Sequence, residues 1–388
     1  MASRQEGEDF PPPGFLEMAG GPPPADWAPV TYIPSHPGRV VAVGDLHGDL
    51  PKAMEALVLA GVVAPGARTV PDARWVGGDA LVVQVGDFTD RGPFEFATLL
   101  LLRHVAHQAR REGGDLVVLL GNHDLMQLEG DFRYVHRGAM EELVRVLGYL
   151  LGKEELEEIA DRAPGADRAM GTLRRRAWAP GGPLAREVAK NPVALVVGDT
   201  AFVHAGLTPA HLGEFGGDLR ELNRTVAQWA AGGEVDPARL RPSHHPRMPV
   251  APRITSGSDS PVWTRVYAPI QDGGPWDADA ACGMLGETLD LLSAAWPGGS
   301  GPRVRRMVVG HTPQVRQVGR EGFEVVGING GCPDPDTGDP RVWRVDVGMS
   351  AGMYDADPEV LELSRGDGAE GVTARVVRAG DGGGHEEL

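Results

Sequence analysis

Short apolar runs alternate with helical patterns of hydrophobic positions over the first third of the chain. The predicted strands are Arg39 to Val43, Ala80 to Val85 and Leu116 to Leu120, and the predicted helices are Pro51 to Ala60 and Phe94 to Glu112. Gly61 and the pair Gly113-Gly114 end the two helices. Strand, polar loop and helix in this order predict parallel strands with right-handed crossovers, and hence an α/β sheet covered by helices.

A second group of strands follows after a long helical and irregular stretch. The predicted elements are strands at Val193 to Val197, Ala201 to His204, Met307 to Val309, Phe323 to Val326 and Val342 to Val347, and a helix at Ala278 to Ala295. The first two strands form a hairpin that turns at Gly198-Asp199. We therefore expect two packed mixed β-sheets flanked by helices, an α-β-β-α sandwich.

The stretch between these groups is expected to be a helical cap insertion at about residues 130–190. Its first part, Met140 to about Ala160, has a charged helical pattern, whereas Asp161 to Lys190 is rich in Arg and Pro and is predicted to be irregular. The run Pro242 to Pro252 is predicted to be a loop.

The chain of 388 residues is expected to hold one catalytic domain at residues 36–380. Residues 1–35 are acidic and proline-rich, which predicts a disordered or surface-hugging arm, and residues 381–388 form a polar tail. No run approaches the roughly 18 apolar residues of a membrane span, and no signal or transit pattern is recognisable, so we expect a soluble, cytoplasmic protein.

Charge and cysteine content narrow the choice of partners. The 37 basic and 54 acidic side chains give a net charge of -17, which makes nucleic acid a poor candidate partner. Cys282 and Cys332 are far apart and outside any paired-cysteine spacing. They indicate neither a disulfide framework nor a zinc-thiolate site, and they are compatible with a reducing compartment.

Five short polar clusters each stand where a predicted strand ends. They are GDLHG at 44–48, GDFTDRG at 86–92, GNHD at 121–124, HAG at 204–206 and GHT at 310–312. Their glycines let the backbone turn sharply off the strand, so that the neighbouring polar side chains project into a shared cleft. In open α/β sheets this edge is where sites form.

The donor atoms of these clusters predict a metal centre. The candidate ligands are Asp45, His47, Asp87, Asn122, His204 and His311. Oxygen and imidazole donors without cysteine suit Mn, Fe or Zn. One carboxylate can bridge two cations about 3.5 to 4 Å apart, and Asp87 in the central cluster is the bridging candidate.

Each cluster taken alone is also an ordinary turn, in which Asp caps a helix and His faces solvent. All five in order at strand ends favour a functional site, because unpaired buried charges are costly unless they bind something. The aromatic residues near the clusters, Trp263, Tyr267, Phe132 and Tyr134, are expected to pack in the core, although stacking on an aromatic substrate is the alternative.

The five motifs, in this order over roughly residues 40–350, resemble the phosphoprotein phosphatase superfamily of metallophosphoesterases. Four longer runs resemble its Shewanella-like protein phosphatases: Val41 to Leu50, EGDFRYV at 129–135, VVGHTPQ at 308–314 and WRVDVGMS at 343–350. The resemblance implies the metallo-dependent phosphatase fold and hydrolysis of phosphate monoesters by direct attack of a metal-bridging hydroxide, without a phosphoenzyme.

The resemblance also implies roles for individual residues. Asp45, His47 and Asp87 hold one divalent cation, and Asp87, Asn122, His204 and His311 hold the other, with manganese favoured. His123 acts as general acid, oriented by Asp90. Arg91 binds phosphate oxygens, and Arg265 is the favoured second arginine with Arg253 in reserve.

The substrate that the resemblance implies is a phosphorylated protein or peptide, with phosphotyrosine favoured over phosphoserine and phosphothreonine; no regulatory partner is indicated. The superfamily commonly has Glu where this chain has Asp124, so a hydrogen bond behind the ligands is expected to be rearranged or filled by water. Asp124 also fits the alternative of a dinucleoside polyphosphate hydrolase. The sequence Asp90-Arg91-Gly92 argues against this alternative, because that family usually lacks it. The alternative of another class is a non-catalytic metal-binding protein that recognises phosphopeptides.

Overall fold

Two mixed β-sheets lie at the centre of the computed structural model, which describes residues 24, 26–36, 38–151, 165–241, 250–268, 276–299, 301–318, 322–365 and 372–380. In spatial order the first sheet contains β15 (Val372–Arg378), β14 (Glu359–Arg365), β2 (Val40–Val43), β3 (Leu81–Gln84) and β4 (Asp115–Val118). The second contains β1 (Tyr32–Ile33), β5 (Ala194–Val197), β6 (Thr200–Val203), β9 (Arg306–Val309), β13 (Pro340–Arg344) and β12 (Asn329–Pro333). Two short ladders pair β7 (Leu240–Arg241) with β8 (Ala251–Pro252) and β10 (Val315–Val318) with β11 (Gly322–Val325).

Helices flank these sheets. The α-helices are α1 (Leu50–Leu59), α2 (Glu95–Arg111), α3 (Asn122–Glu129), α4 (Arg137–Leu151), α5 (Ala166–Trp178), α6 (Pro183–Val188), α7 (Pro209–Glu214), α8 (Leu219–Ala230) and α9 (Ala278–Ala294). Short 3-10 turns occur at Val70–Asp72, Pro237–Arg239, Arg253–Thr255 and Pro297–Gly299. Within the described ranges, no helix is both long and apolar enough to cross a bilayer.

The predicted parallel core is confirmed. Strands β2, β3 and β4 run parallel in register, with α1 and α2 as the intervening helices. Every residue of β2 and β3 is buried, as expected for strands covered on both faces. The hairpin of β5 and β6 is also confirmed, with Val197 paired to Thr200 across the turn. The predicted α/β architecture of two mixed sheets with flanking helices is therefore correct.

Two sequence expectations about secondary structure are wrong. Residues 161–190 were expected to be irregular, but α5 and α6 lie there, and the Arg-rich sequence of α5 hides a buried position, Arg174. Strands β14 and β15 follow Val347, where no strand is predicted. No side chain of β15 is fully buried, and the exposed Arg375 and Arg378 interrupt its apolar residues, so the strand pattern in the sequence is weak.

The arm expected at residues 1–35 ends earlier, because Tyr32 and Ile33 of β1 pair in parallel with β5 and Thr31 is buried. Several expectations fall outside the described residues: the arm up to residue 23, the end of the charged helical stretch at 152–160, most of the loop at 242–249, and the tail at 381–388.

The two cysteines form a disulfide bond, although their spacing in the sequence indicates no disulfide framework. Cys282 of α9 and Cys332 of β12 are 50 residues apart in sequence, with Cα atoms 5.1 Å apart. The helix and the strand bring them together, and spacing along the chain carries no sign of this contact.

Candidate metal centre and active site

The five polar clusters meet at the carboxyl ends of strands from both sheets. The backbone N–H groups of Leu46 and His47 donate to the carbonyl of Asp87 at 3.0 and 2.9 Å, which ties the loop after β2 to the loop after β3. The N–H of Gly310, after β9, donates to the carbonyl of His204, after β6, at 2.7 Å. Hydrogen bonds between loops thus bring residues distant in sequence into one place.

Several candidate site residues have left-handed backbone conformations that residues other than glycine rarely adopt. These residues, with their φ values, are His47 (47°), Asp87 (56°), Asp90 (67°), Arg91 (66°) and His311 (67°). Such conformations cost free energy and persist where the surroundings enforce them, typically at functional sites. They turn the polar side chains off the strand ends and into the common pocket.

Two glycines give the acidic side chains room. A Cβ atom on Gly121 would lie 2.1 Å from Oδ1 of Asp87, and one on Gly310 would lie 2.4 Å from Oδ1 of Asp45. Any larger residue at either position would displace a candidate ligand carboxylate. The glycines in the GNHD and GHT motifs are therefore needed for the position of Asp87 and Asp45.

Two groups of side chains present ligand atoms within 4.8 Å of one another. One group is His47, Asp87 and His123, and the other is Asp87, His204 and His311, all of them buried. Asp87 belongs to both, and its Oδ2 lies 3.9 Å from Nε2 of His47 and 3.3 Å from Nε2 of His204. The expected bridging role of Asp87 rests on this shared position.

The hydrogen bonds of the imidazoles indicate that a cation fits between them. Nδ1 of His204 lies 2.9 Å from the carbonyl oxygen of Val85, which can only accept, so Nδ1 carries the proton. In the neutral ring the lone pair of Nε2 then faces Oδ1 of Asn122 at 2.9 Å and the Asp87 carboxylate. Lone pairs that point at one another in a buried site repel unless a cation or a proton lies between them. Burial lowers the pKa of His204, but the charge of Asp87 and the hydrogen bond to it raise that pKa above its ordinary value, which shows how strongly this place attracts positive charge. These donors suit a divalent metal.

His47 repeats this arrangement, whereas His311 faces the site through Nδ1 and its buried Nε2 has no hydrogen-bond partner among the described residues. Nδ1 of His47 faces the carbonyl of Thr89 at 3.0 Å, which leaves Nε2 directed toward Asp87. Burial lowers the pKa of His47 to about 3 and holds the pKa of His311 well below its ordinary value. Both rings are therefore neutral, the state in which imidazole binds metals. Nδ1 of His311 lies 2.9 Å from the same Asn122 oxygen.

Asp45 lies at the edge of this cluster, in neither group of ligand atoms. Its carboxylate accepts from the backbone N–H of His311 at 3.2 Å, and burial together with the charges of Asp346 and Asp87 raises its pKa well above the ordinary value. Burial likewise raises the pKa of Asp346 to about 7. Asp346 is an acidic residue of this cluster that the five motifs missed, although it lies two residues after the end of β13, just as Asp45 lies two residues after the end of β2.

His123 and Asp90 form a tight pair beside the metal ligands. Nδ1 of His123 lies 2.6 Å from Oδ2 of Asp90, and the other Asp90 oxygen accepts from Nε2 of Gln127 at 2.7 Å. Burial by itself lowers the pKa of His123, but the charges of Asp87 and Asp90 and the hydrogen bond to Asp90 raise it above the ordinary value. Asp90 thus fixes the tautomer and orientation of the ring.

The arginines predicted to bind phosphate occupy different positions. Arg91 is half-buried, with its guanidinium 4.9 Å from the ring centre of Tyr134. Arg265 is exposed, and its charge contributes to the low pKa of His311, which places it near the second group of ligands. Arg253 is exposed as well, and its Nε points to the carbonyl of Leu240 at 3.5 Å. The charge of Arg265 thus acts on a predicted metal ligand, His311.

The aromatic residues divide between core and pocket. Tyr267 is buried, as expected for core packing, and Trp263 packs edge-on against His311. Tyr134, however, is 41% exposed, with its ring 5.1 Å from the ring of His123. Core packing was therefore the wrong expectation for Tyr134, which lies on the surface beside the candidate acid.

The fold and the site define a metallophosphoesterase. Residues 38–162 match the family model of the calcineurin-like phosphoesterases. Solved structures with the same fold include a cold-active protein tyrosine phosphatase, at 19% identity and a TM-score of 0.57, covering 88% of this chain and 77% of that one. The cold-active protein tyrosine phosphatase of a psychrophilic Shewanella species aligns at 18% identity and a TM-score of 0.56, over 92% and 85% of the two chains.

The family follows from a closer relative. This chain is 34% identical to Shewanella-like protein phosphatase 2 of Arabidopsis thaliana over 362 residues, which cover 88% of this chain and 79% of the relative. The chain belongs to the Shewanella-like protein phosphatases, a group of metal-dependent hydrolases, as the longer sequence runs predicted.

Proposed function

We propose that this protein removes phosphate from phosphorylated proteins and that phosphotyrosine is its preferred substrate. The observation that carries the proposal is the position of His123, which lies between the candidate metal ligands and an exposed aromatic ring, that of Tyr134. Membership of a family of protein phosphatases supports the phosphoprotein substrate.

The residues that would hold two divalent cations are the six predicted ligands. His47 and Asp87, with Asp45 beside them, form one set; Asp87, Asn122, His204 and His311 form the other. When bound, cations in such a pair of sites polarise the phosphoryl group and lower the pKa of a water molecule. Manganese is our first choice, because the donors are carboxylate, amide and imidazole without thiolate.

The other residues act on the phosphate and on the leaving group. Arg91 and Arg265 carry planar guanidinium groups that suit two phosphate oxygens, and they would stabilise negative charge there. His123 would donate the proton of its Nε2 atom to the oxygen that leaves phosphorus, while Asp90 accepts from Nδ1. Asp90 thereby stabilises the charged ring before transfer.

Tyr134 favours an aromatic leaving group. Its backbone carbonyl accepts from the N–H of Arg91 at 2.8 Å, and the guanidinium groups of Arg91 and Arg133 lie over its ring at 4.9 and 5.7 Å. These contacts hold an exposed ring beside His123, where the departing oxygen must be. A phosphotyrosine ring would find an aromatic face there, which a phosphoserine side chain cannot use.

Turnover of matched peptides tests this proposal. Manganese-loaded protein is assayed with the same peptide carrying phosphotyrosine, phosphoserine or phosphothreonine, and with diadenosine tetraphosphate. We expect the highest kcat/KM for phosphotyrosine, a lower preference in Tyr134→Leu, and little change in Tyr134→Phe, which keeps the ring. Hydrolysis of the dinucleotide alone, or peptide binding without phosphate release, would overturn the proposal.

A further inference from the structure

A buried arginine of the helical insertion reaches the groups that support the candidate acid. Arg174 lies on α5, and 1% of its side chain is exposed. Its Nη2 donates to Oε2 of Glu95, on the first turn of α2, at 2.6 Å. Its Nε and Nη2 atoms also donate to Oε1 of Gln127, on α3, at 3.0 and 2.6 Å. One guanidinium thus joins the insertion to two helices that begin at the site.

Both partners of Arg174 bind Asp90. Oε1 of Glu95 accepts from the backbone N–H of Asp90 at 2.9 Å, and Nε2 of Gln127 donates to Oδ1 of Asp90 at 2.7 Å. The remaining oxygen of Asp90 accepts from Nδ1 of His123 at 2.6 Å. Asp90 is therefore fixed at its backbone and at both carboxylate oxygens, and two of these three contacts depend on groups that Arg174 holds.

The guanidinium sets which way the amide of Gln127 points. An amide has a carbonyl oxygen at one end and an N–H₂ group at the other, and Arg174 can only donate. Because Arg174 occupies the carbonyl oxygen with two hydrogen bonds, the N–H₂ end faces the Asp90 carboxylate. Without the arginine the amide is free to turn, and its oxygen would then face a carboxylate and repel it.

Arg174 is itself held by aromatic side chains. Its guanidinium lies 5.4 Å from the ring centre of Phe132 and 5.9 Å from that of Trp178. A planar guanidinium can stack and donate in several directions at once, which a lysine ammonium cannot. The shape and charge of the site therefore require arginine.

We propose that Arg174 is a positioning residue for catalysis, which acts through Gln127 and Glu95 to hold Asp90 and so to orient the proton-donating ring of His123. The helical insertion is then part of the machinery for leaving-group protonation. This inference rests on the proposed function, since it assumes that His123 protonates the leaving oxygen.

A purely structural role makes a different prediction, and the protein offers a matched control. Arg103 of α2 also forms a largely buried ion pair, in which Nε donates to Oε1 of Glu187 at 2.7 Å and Nη2 donates to Oδ1 of Asn191 at 2.6 Å. These partners lie on α6 and just after it. Loss of Arg174 leaves the buried carboxylate of Glu95 without its cation, whereas loss of Arg103 leaves Glu187 paired with Lys190, whose Nζ donates to Oε2 at 2.7 Å. Both variants are therefore expected to lose stability, Arg103→Met the less of the two. Only Arg174→Met should change the chemistry.

The first test compares leaving groups at a temperature where every variant is folded. In a phosphoserine peptide the leaving group is the serine oxygen, an alkoxide that needs a proton. In 4-nitrophenyl phosphate the leaving group is 4-nitrophenolate, which needs little protonation. We expect Arg174→Met to lower kcat/KM by about tenfold with the peptide and by less than about twofold with the aryl ester. The tenfold loss is smaller than the roughly 100-fold that a general acid contributes, because His123 is still present but less well oriented. Arg103→Met should change kcat/KM for the two substrates by the same factor. Equal losses for both substrates in Arg174→Met would reject the positioning role.

A double-mutant cycle asks whether Arg174 acts through His123. If it does, adding Arg174→Met to His123→Ala should lower peptide turnover no further, because the two changes remove the same contribution. Additive losses would overturn the inference. If His123→Ala is itself unselective between the two leaving groups, the proposed function fails first, which separates the two failures.

If Arg174→Met folds poorly, the inference can still be tested by NMR on a different variant, without an activity assay. Gln127→Met removes one contact to Asp90 and leaves the ion pair with Glu95 in place. In selectively ¹⁵N-histidine-labelled protein, the proton shared by Nδ1 of His123 and Asp90 should give a downfield resonance that Arg103→Met keeps. We expect Gln127→Met to weaken or shift it, and an unchanged resonance would overturn the proposal.

Discussion

The carboxylate of Asp124 binds Thr89 twice, through the backbone N–H at 3.1 Å and the hydroxyl at 2.8 Å, both donating to Oδ1. Its other oxygen accepts from the N–H groups of Asp87 and Gly121, each at 2.8 Å. One buried side chain therefore holds the loop that carries Asp87 in its left-handed conformation. The shorter acid reaches four donors directly, and the expected rearrangement or water-filled gap is not needed.

Replacement of Asp124 should weaken metal binding. In Asp124→Asn an N–H₂ group takes the place of one acceptor oxygen and faces at least one backbone N–H donor, that of Asp87 or that of Thr89. The loop that carries Asp87 therefore loses a backbone hydrogen bond and gains a repulsive contact. We expect manganese affinity, measured by isothermal titration calorimetry, to fall by about 10- to 100-fold. The control is Asp72→Asn, an exposed carboxylate that accepts from Thr69 at the surface. An unchanged affinity in Asp124→Asn would show that the loop holds its shape without this acceptor.

The features of the fold and the site that could be predicted are those that depend on a few neighbouring residues in the sequence. A β-branched run followed by glycine and a polar residue marks a strand that ends in a turn. This signal located Asp45 and Asp87 at strand ends of the first sheet and His311 at a strand end of the second. The glycines beside them are needed because backbone approach leaves no room for a Cβ, as at Gly121. Such constraints act over a few residues, so they can be read from a short motif.

The residues that escaped prediction depend on contacts between distant segments. Arg174 stands in a run of three arginines that looks solvent-exposed, and only packing against Glu95 and Gln127 shows that it is buried. The pairing of Cys282 with Cys332 likewise follows from the placement of α9 beside β12. Tertiary partners decided these positions, and no periodicity in the sequence encodes them.

Divalent cations should stabilise the protein markedly. Asp45, Asp87 and Asp346 lie together and are at most 2% exposed, so their mutual repulsion opposes folding until a cation binds. We expect the melting temperature of chelator-treated protein to rise on titration with Mn²⁺, by a stabilisation of about 2.7 kcal/mol per site at 100 times the Kd. Asp87→Asn should lose most of this response, because the residue belongs to both groups of ligands. If Mn²⁺ raises the melting temperature of Asp87→Asn as much as that of the wild-type protein, Asp87 does not bridge the two cations.

Reduction of the disulfide should destabilise the fold. The bond closes a loop of 50 residues, and the restriction of the unfolded chain is worth about 4 kcal/mol in the chain-entropy model. Urea unfolding with and without a phosphine reductant measures the difference. The double variant Cys282→Ala, Cys332→Ala should be insensitive to the reductant and as unstable as the reduced protein. Peptide mapping under non-reducing conditions that finds only free thiols would contradict the pairing itself.

Glu142 should make stability depend on pH. This residue of α4 is 8% exposed and accepts from the backbone N–H groups of Phe96 and Ala97 at 2.8 and 3.0 Å, at the start of α2. Burial raises its pKa from 4.5 to about 7, more than these two hydrogen bonds lower it. Between these values the folded state keeps a proton that the unfolded state has lost, so stability falls as pH rises from about 4.5 to about 7.

The loss from this one group is about 3 kcal/mol at most, at 1.36 kcal/mol per pKa unit. Glu142→Gln keeps an acceptor oxygen for the start of α2 but does not titrate, so its free energy of unfolding should fall less steeply than that of the unchanged protein over this range. Urea unfolding at several pH values gives the difference between the two slopes, in which the contributions of other titrating groups cancel. Glu141→Gln serves as control, because that neighbouring carboxylate pairs with Arg137 at the surface. If Glu142→Gln and Glu141→Gln have the same slope, the carboxylate of Glu142 is ionised throughout and the hydrogen bonds from α2 outweigh its burial.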